Sequence, residues 1–304
     1  MKKRVLIIGS LGMLGQELAG IFSTDENYQT IAWDVEDLDI TDQAQVEEKI
    51  LVLAPQIIIN AAAYNDVDKC EESAEFEKAK TLNGLAPGYL AKVAKEVKIP
   101  PNPPFTKWEK GAIFVHYSSD YVFSGDKKEG YKEDDGVSPI NNYGLSKVSG
   151  ELEVRRVEGR YYLIRLQRLF GRPGKTEGAK KSFFEAMLAL SEIKKELEAV
   201  DDELANFTYA PDLAERTKYI IEQGLSFGVY HVTNEGAPVT WFGAAKALFE
   251  MVGKTEIRII PVPAKKFIRS ARRPRYSILL NTKLPPLRPW PEALKEFLNP
   301  APFS

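Results

Sequence analysis

Tyr143-x-x-x-Lys147 is the pair in this chain best suited to move a proton. On a helix the two side chains share one face, one turn apart. A nearby ammonium favours the phenolate and lowers the tyrosine pKa, which makes the phenol a proton donor and acceptor near neutral pH. Ser119 lies twenty-four residues earlier, after the apolar run Ile113-Phe-Val-His-Tyr117, and its hydroxyl could hydrogen-bond the same reacting oxygen. Tyr and Lys four apart recur by chance on helices, so the weight of the pair rests on its place in the chain.

A second chemical feature stands at the start. Val5-Leu-Ile-Ile8 runs into Gly9, Gly12 and Gly15, and a helical pattern follows from Gln16 to Phe22. The apolar run suits a parallel strand buried on both faces. Gly9 permits a tight turn, Gly12 lets the backbone approach a ligand, and Gly15 lets the helix pack on the sheet. The free N–H groups at such a helix start hold a pyrophosphate. The spacing is G-x-x-G-x-x-G rather than the dehydrogenase G-x-G-x-x-G, and a buried glycine turn without a ligand is the alternative. Asp34 lies nineteen residues beyond Gly15, at the end of the short strand Thr30–Trp33. An acid there binds the adenosine ribose hydroxyls. It would favour NADH slightly over NADPH, whose 2′-phosphate it repels. Glu36, Asp37 and Asp39 crowd the same turn, where a solvated acid is the plainer role.

The elements that must position these residues follow in order. Asp42-x-x-Gln45 resembles a capping box ahead of the helical face Val46, Ile50 and Leu53, which Pro55 stops. Ile57–Ile59 is a buried strand ending in Asn60-Ala61-Ala62-Ala63, small residues that allow close backbone approach. A helical region runs to about Val97 with a break expected near Pro87; Asn83 inside it reads as a capping or solvated residue. Pro100–Pro104 reads as a rigid surface loop. Strands follow at 113–117 and 161–165, flanking a helix that opens at Asn142. This alternation implies an α/β fold, a doubly wound parallel sheet. Ligands collect at the carboxyl edge of such a sheet. Gly9–Gly15, Asp34, Asn60–Ala63 and Ser118–Asp120 all fall there. Beyond Gly171 the pattern changes: helices at 183–197, 212–223 and 242–252 and strands at 229–232 and 257–260 read as a smaller lobe. The division is 1–166 for dinucleotide binding, with segments between 209 and 233 returning to the sheet, and 167–304 for the substrate.

Composition excludes several classes. The 41 basic and 43 acidic residues nearly cancel, which removes the footprint of a nucleic-acid binder. The single Cys70 rules out an internal disulfide, and with only His116 and His231 a zinc site is not expected. No run reaches the ~18 apolar residues of a membrane span. Lys2-Lys3-Arg4 before an apolar run mimics a signal peptide, but the glycines interrupt it and no cleavage site follows. The chain reads as a soluble, cytoplasmic protein.

These motifs together resemble the extended short-chain dehydrogenase/reductase family, in its dTDP-4-dehydrorhamnose reductase branch. The resemblance is carried by the glycine turn, by Asp37-Leu-Asp39-Ile40-Thr-Asp42 and by Asn60-Ala-Ala-Ala-Tyr64-x-x-Val67-Asp68-Lys69. Tyr117-Ser-Ser-Asp-Tyr-Val-Phe123-x-Gly125, Ser138-Pro139-x-Asn141-x-Tyr143-Gly-x-Ser-Lys147 and Arg272-Arg273-Pro274-x-x-Ser277 complete it. It implies a Rossmann-type fold and a catalytic set of Ser119, Tyr143 and Lys147. It implies cofactor contacts at Gly9, Leu11, Gly12, Met13, Leu14, Gly15, Asp34, Asp39, Ile40, Ala61, Ala62 and Ala63, shared with Tyr143 and Lys147. Substrate contacts are implied at Ser119, Asp120, Val122, Phe123 and Arg273.

The activity so implied is NADH- or NADPH-dependent reduction of a nucleotide-linked 4-keto-6-deoxy sugar. Some members use Mg2+ at a subunit interface; no magnesium site can be placed here, and a homodimer stays open. Two departures stand out. Arg168 replaces an aromatic that the branch carries near the sugar, where it could pair with a phosphate or carboxylate or simply be solvated. Asp202–Thr208 has drifted from the family's Asp-Gln-x-Gly-x-Pro-Thr. A non-catalytic NADP-binding regulatory subunit, like that of methionine adenosyltransferase, and a sugar-nucleotide epimerase therefore remain alternatives.

Overall fold

The computed structural model describes residues 2–99, 109–176 and 179–299. The Pro100–Pro104 loop lies outside the described residues. Six parallel strands form the main sheet. β1 (Lys3–Ile8) lies between β2 (Tyr28–Trp33) and β3 (Ile57–Asn60). A short antiparallel pair, β4 (Lys98–Ile99) and β5 (Glu109–Lys110), precedes β6 (Ile113–Ser119) and β7 (Tyr161–Leu166). β8 (Leu169–Phe170), β9 (Glu196–Val200) and β10 (Thr208–Tyr209) stand apart; β11 (Gly228–His231) returns to the main sheet and β12 (Arg258–Val262) does not. The order is β11-β7-β6-β3-β1-β2.

Because side chains alternate across a strand, both faces of β1 must be apolar here. Val5 and Ile7 pack with Leu18 and Phe22 of α1 (Met13–Ser23) and Leu213 of α7 (Ala210–Glu222). Leu6 and Ile8 pack with Val46 and Ile50 of α2 (Gln43–Leu53) and Leu90 of α4 (Ala86–Glu96). A third core is built on Phe170, Phe184, Phe207, Leu248 and Trp290.

Three local expectations change. The helical region before Val97 is α3 (Ser73–Ala79), a π-helical turn (Lys80–Leu85) and α4. Pro87 has no N–H for the Asn83 carbonyl, and the Ala86 N–H reaches back to Thr81 instead. The break is thus a bulge that keeps the helix running. The helix expected over 183–197 is α6 (Phe183–Ser191) only. Leu197 and Ala199 are buried between exposed Glu196 and Glu198, a two-residue period that makes β9, paired in parallel with β12. Thr208–Tyr209 pairs with β8 rather than the main sheet, whereas Val229 joins the sheet beside β7.

Candidate active site

A cavity of about 890 Å3 lies along the carboxyl ends of β1, β2, β3 and β6. Its first wall is the glycine turn. Gly9 has φ +76°, and a Cβ there would meet the Ala62 nitrogen at 2.6 Å. A Cβ on Gly15 would sit 1.9 Å from the Gly9 carbonyl oxygen. Both positions therefore exclude a side chain. Gly12 caps α1 with no side-chain hydrogen bond, so the first N–H groups of the helix stay available at the cavity, where Gly12, Met13 and Leu14 line it.

Asp34 follows β2. Its carboxylate accepts the N–H groups of Leu11 and Val35, both at 2.9 Å, which ties it to the glycine turn. Asp39, Ile40 and the Ala61–Ala63 segment complete this half. Asn60 shapes that segment: its Oδ1 accepts the Ala62 N–H at 3.1 Å, and its amide lies 3.2 Å from His116 Nδ1. Backbone donors at a helix start, small residues after β3 and an acid after β2 suit an NAD(P) dinucleotide. Ser118 also belongs to the lining, and its hydroxyl is buried with no protein partner among the described residues.

The second wall is β6 and α5 (Asn142–Arg156). Asn141 caps this helix, accepting the Gly144 N–H at 2.7 Å, and the cap sets the rotation at which Tyr143 and Lys147 meet the cavity. Lys147 Nζ donates to the Tyr117 carbonyl at 2.9 Å. Ser119 Oγ donates to Asp120 at 2.8 Å and accepts the Tyr121 N–H at 3.2 Å.

Burial governs the charges here. It pulls Lys147 down to about 8, with the Glu151 carboxylate opposing. It pushes Asp120 up to about 6 against hydrogen bonds from Ser277 and Ser119. It also pushes the Tyr143 phenol upward, helped by the Asp120 charge and opposed by a Ser119 hydrogen bond. The lowering of the Tyr143 pKa expected from Lys147 is not what the structure gives: burial first, and then the Asp120 charge, raise the phenol instead.

The remaining candidates divide. Arg168 lines the cavity, but its guanidinium donates to the carbonyls of Val239 (2.8 Å) and Glu203 (3.0 Å) and stacks on Trp241, 3.9 Å from the ring centroid. Burial lowers it to about 10. It is neither solvated nor a free fork. Leu11 and Gly15 lie beside the cavity without lining it. Val122 and Phe123 are fully buried with Tyr131 and Leu279, pointing away from it. Arg273 is held by Asp68 through two hydrogen bonds, 2.8 and 2.6 Å.

Several lining residues carry no local sequence signal. Trp241 arrives from the start of α8 (Trp241–Met251), and Lys180 crosses to Asp66 at 3.1 Å. Asn83, read as solvated or capping, is 1% exposed. Its amide accepts the Tyr64 N–H, donates to the Tyr64 carbonyl and reaches Ser146 on α5. A polar residue four before a proline in an apolar helix was its signal. Among the described residues no group of three or more His, Cys, Asp or Glu side chains could hold a metal ion, and no helix is long and apolar enough to cross a membrane.

A doubly wound sheet with a glycine turn and a Ser–Tyr–Lys set on one cavity defines a protein of the extended short-chain dehydrogenase/reductase class. Within it, the chain belongs to the RmlD substrate binding domain family, whose model matches residues 2–302. It is 34% identical over 300 residues to the spore coat polysaccharide biosynthesis protein SpsK of Bacillus subtilis, covering 97% of each chain. It is 32% identical to the dTDP-4-dehydrorhamnose reductase of Burkholderia thailandensis, covering 92% of this chain and 91% of the other. The crystal structure of dTDP-4-dehydrorhamnose reductase from Bacillus anthracis in complex with NADP superposes with a TM-score of 0.88. That match is at 32% identity and covers 99% of this chain and 100% of the other.

Proposed function

We propose that this protein reduces the 4-keto group of a nucleotide-linked 6-deoxy sugar, as its dTDP-4-dehydrorhamnose reductase relatives are named for doing. The observation that carries this reading is the meeting of Ser119, Tyr143 and Lys147 with the glycine turn on one cavity. Residues 1–166, with the returning segments between 209 and 233, hold the dinucleotide, and the rest of 167–304 binds the sugar nucleotide. The nicotinamide, when bound, supplies the hydride. Tyr143, protonated across the neutral range, gives its proton to the carbonyl oxygen. Ser119 turns from Asp120 to hydrogen-bond that oxygen, and Asp120 orients a sugar hydroxyl. Lys147 holds the ribose on the nicotinamide side. Asp34 meets the adenosine ribose and favours NADH modestly. The reading carries with it a cytoplasmic location.

The test is a panel of nucleotide-linked keto sugars, followed by oxidation of NADH and NADPH. Failure of every sugar, with either cofactor bound, overturns it. That outcome would favour the regulatory-subunit reading, which the occupied guanidinium of Arg168 supports. A nicotinamide cofactor that stays with the protein through purification would favour an epimerase.

A further inference from the structure

We propose that Glu151 is a positioning residue for this site: clamped by Arg165 one helical turn beyond Lys147, it presents a fixed carboxylate to that buried ammonium. The inference rests on the reading above that Lys147 meets the cofactor.

Lys147 is 3% exposed, and among the described residues its ammonium donates to one neutral acceptor, the Tyr117 carbonyl. Glu151 lies one turn further along the same face of α5 and is also buried. Arg165, from β7, grips both of its carboxylate oxygens, Nε to Oε1 at 2.8 Å and Nη2 to Oε2 at 2.7 Å. Arg165 is itself fixed. It donates to the Glu133 carbonyl at 3.3 Å, lies 3.4 Å from His231 Nε2, and its guanidinium sits 5.0 Å over the Phe123 ring.

Taking an ion pair out of water costs more than its attraction usually returns, so a buried pair is weak support for a fold. Here the pair has another consequence. One rigid carboxylate serves two buried cations, Arg165 directly and Lys147 through its field. Among the described residues no other group around Lys147 does this. The His116 imidazole from β6 is kept neutral by burial. Tyr143, on the same helix, is a neutral phenol, and Asp120 after β6 acts on Tyr143 instead. Glu71 is bound to the Asn142 N–H at the start of α5. Neither the π-helical turn nor α4 brings a charge that shifts Lys147. A bidentate fork cannot swing, so Glu151 keeps its distance and direction from Lys147 whether or not a ligand is present.

The test is the NADPH and NADH dissociation constants of Glu151→Gln at pH 7 and pH 9, with an NMR titration of labelled lysine in the unliganded protein. The Lys147 signal is assigned from Lys147→Arg. The Lys147 midpoint should fall by about one pH unit. Cofactor affinity should change by less than about twofold at pH 7 and fall about tenfold at pH 9, as the charged fraction does. Glu151→Asp, which keeps the charge, should restore the wild-type midpoint. A merely structural role would weaken binding equally at both pH values and leave the midpoint in place; that result overturns the proposal. If Glu151→Gln does not fold, Arg165→Gln leaves the carboxylate to Lys147 alone and should raise the midpoint; an unmoved midpoint there is equally adverse. Wild-type protein that binds neither cofactor would sink the functional reading, while the lysine titration still decides the coupling.

Discussion

Asp68 and Arg273 grip each other through two hydrogen bonds although 205 positions of sequence separate them. Asp68 also accepts the Ala271 N–H, so the loop after β3 and the C-terminal segment are stitched beside the cavity. The Arg273 guanidinium holds the Asp68 carboxyl down to about 2. A depressed pKa contributes stability that is present above the ordinary carboxylate value and is lost as pH falls toward about 2. Wild type should therefore lose more unfolding free energy than Asp68→Asn between about pH 5 and pH 3. Asp68 is partly exposed, so the difference should stay under about 1 kcal/mol. Parallel losses in urea titrations would show that the pair adds nothing.

Tyr143→Phe should lower kcat by roughly 10²–10⁴ while leaving cofactor affinity near wild type, because the phenol gives a proton and little ground-state contact. Retention of most of kcat would remove Tyr143 from the chemistry. Lys147→Ala should harm both rate and cofactor affinity. With Lys147 near 8 and its charged form required, kcat/KM should fall as pH rises through about 8. A flat profile to pH 9.5 would contradict that requirement.

Arg168→Ala should raise KM for the sugar nucleotide and leave cofactor affinity alone. The guanidinium braces Trp241 and the Val239 and Glu203 carbonyls in the cavity wall. Arg168→Lys should not rescue KM, since one ammonium cannot reproduce a planar fork that both stacks and donates twice. A lysine variant with wild-type KM would mean that charge alone is needed.

The cofactor preference should run through Asp34. A carboxylate facing a 2′-phosphate at about 4 Å repels it by ~1 kcal/mol in water and more at lower dielectric. NADH should lead NADPH in kcat/KM by about tenfold at low ionic strength, and Asp34→Ala should narrow the gap. Wild type preferring NADPH would exclude Asp34 as the discriminator.

Gly15→Ala should cost roughly 1–3 kcal/mol of stability and weaken cofactor binding, because the added carbon lands on the Gly9 carbonyl. A variant with unchanged Tm would mean that the turn yields more easily than its geometry suggests.

What the sequence determined by itself is what local geometry decides. Val5–Ile8 had to be a doubly buried strand because four apolar residues in a row cannot alternate with solvent. Asp42 caps α2 as its spacing implies, accepting the Ala44 and Gln45 N–H groups. The i, i+4 spacing put Tyr143 and Lys147 on one helix face before any neighbour was known. Tertiary structure decided the rest, because direction and charge depend on groups far away in sequence. Asp120 faces the cavity while Val122 and Phe123, two and three residues on, turn into the core. Arg273 spends its fork on Asp68, and Asn83 becomes a buried strut only because Tyr64 and Ser146 arrive beside it. The sign of the Tyr143 shift is of the same kind: the spacing showed the lysine, but burial and the Asp120 charge, which the fold brings up, raise the phenol.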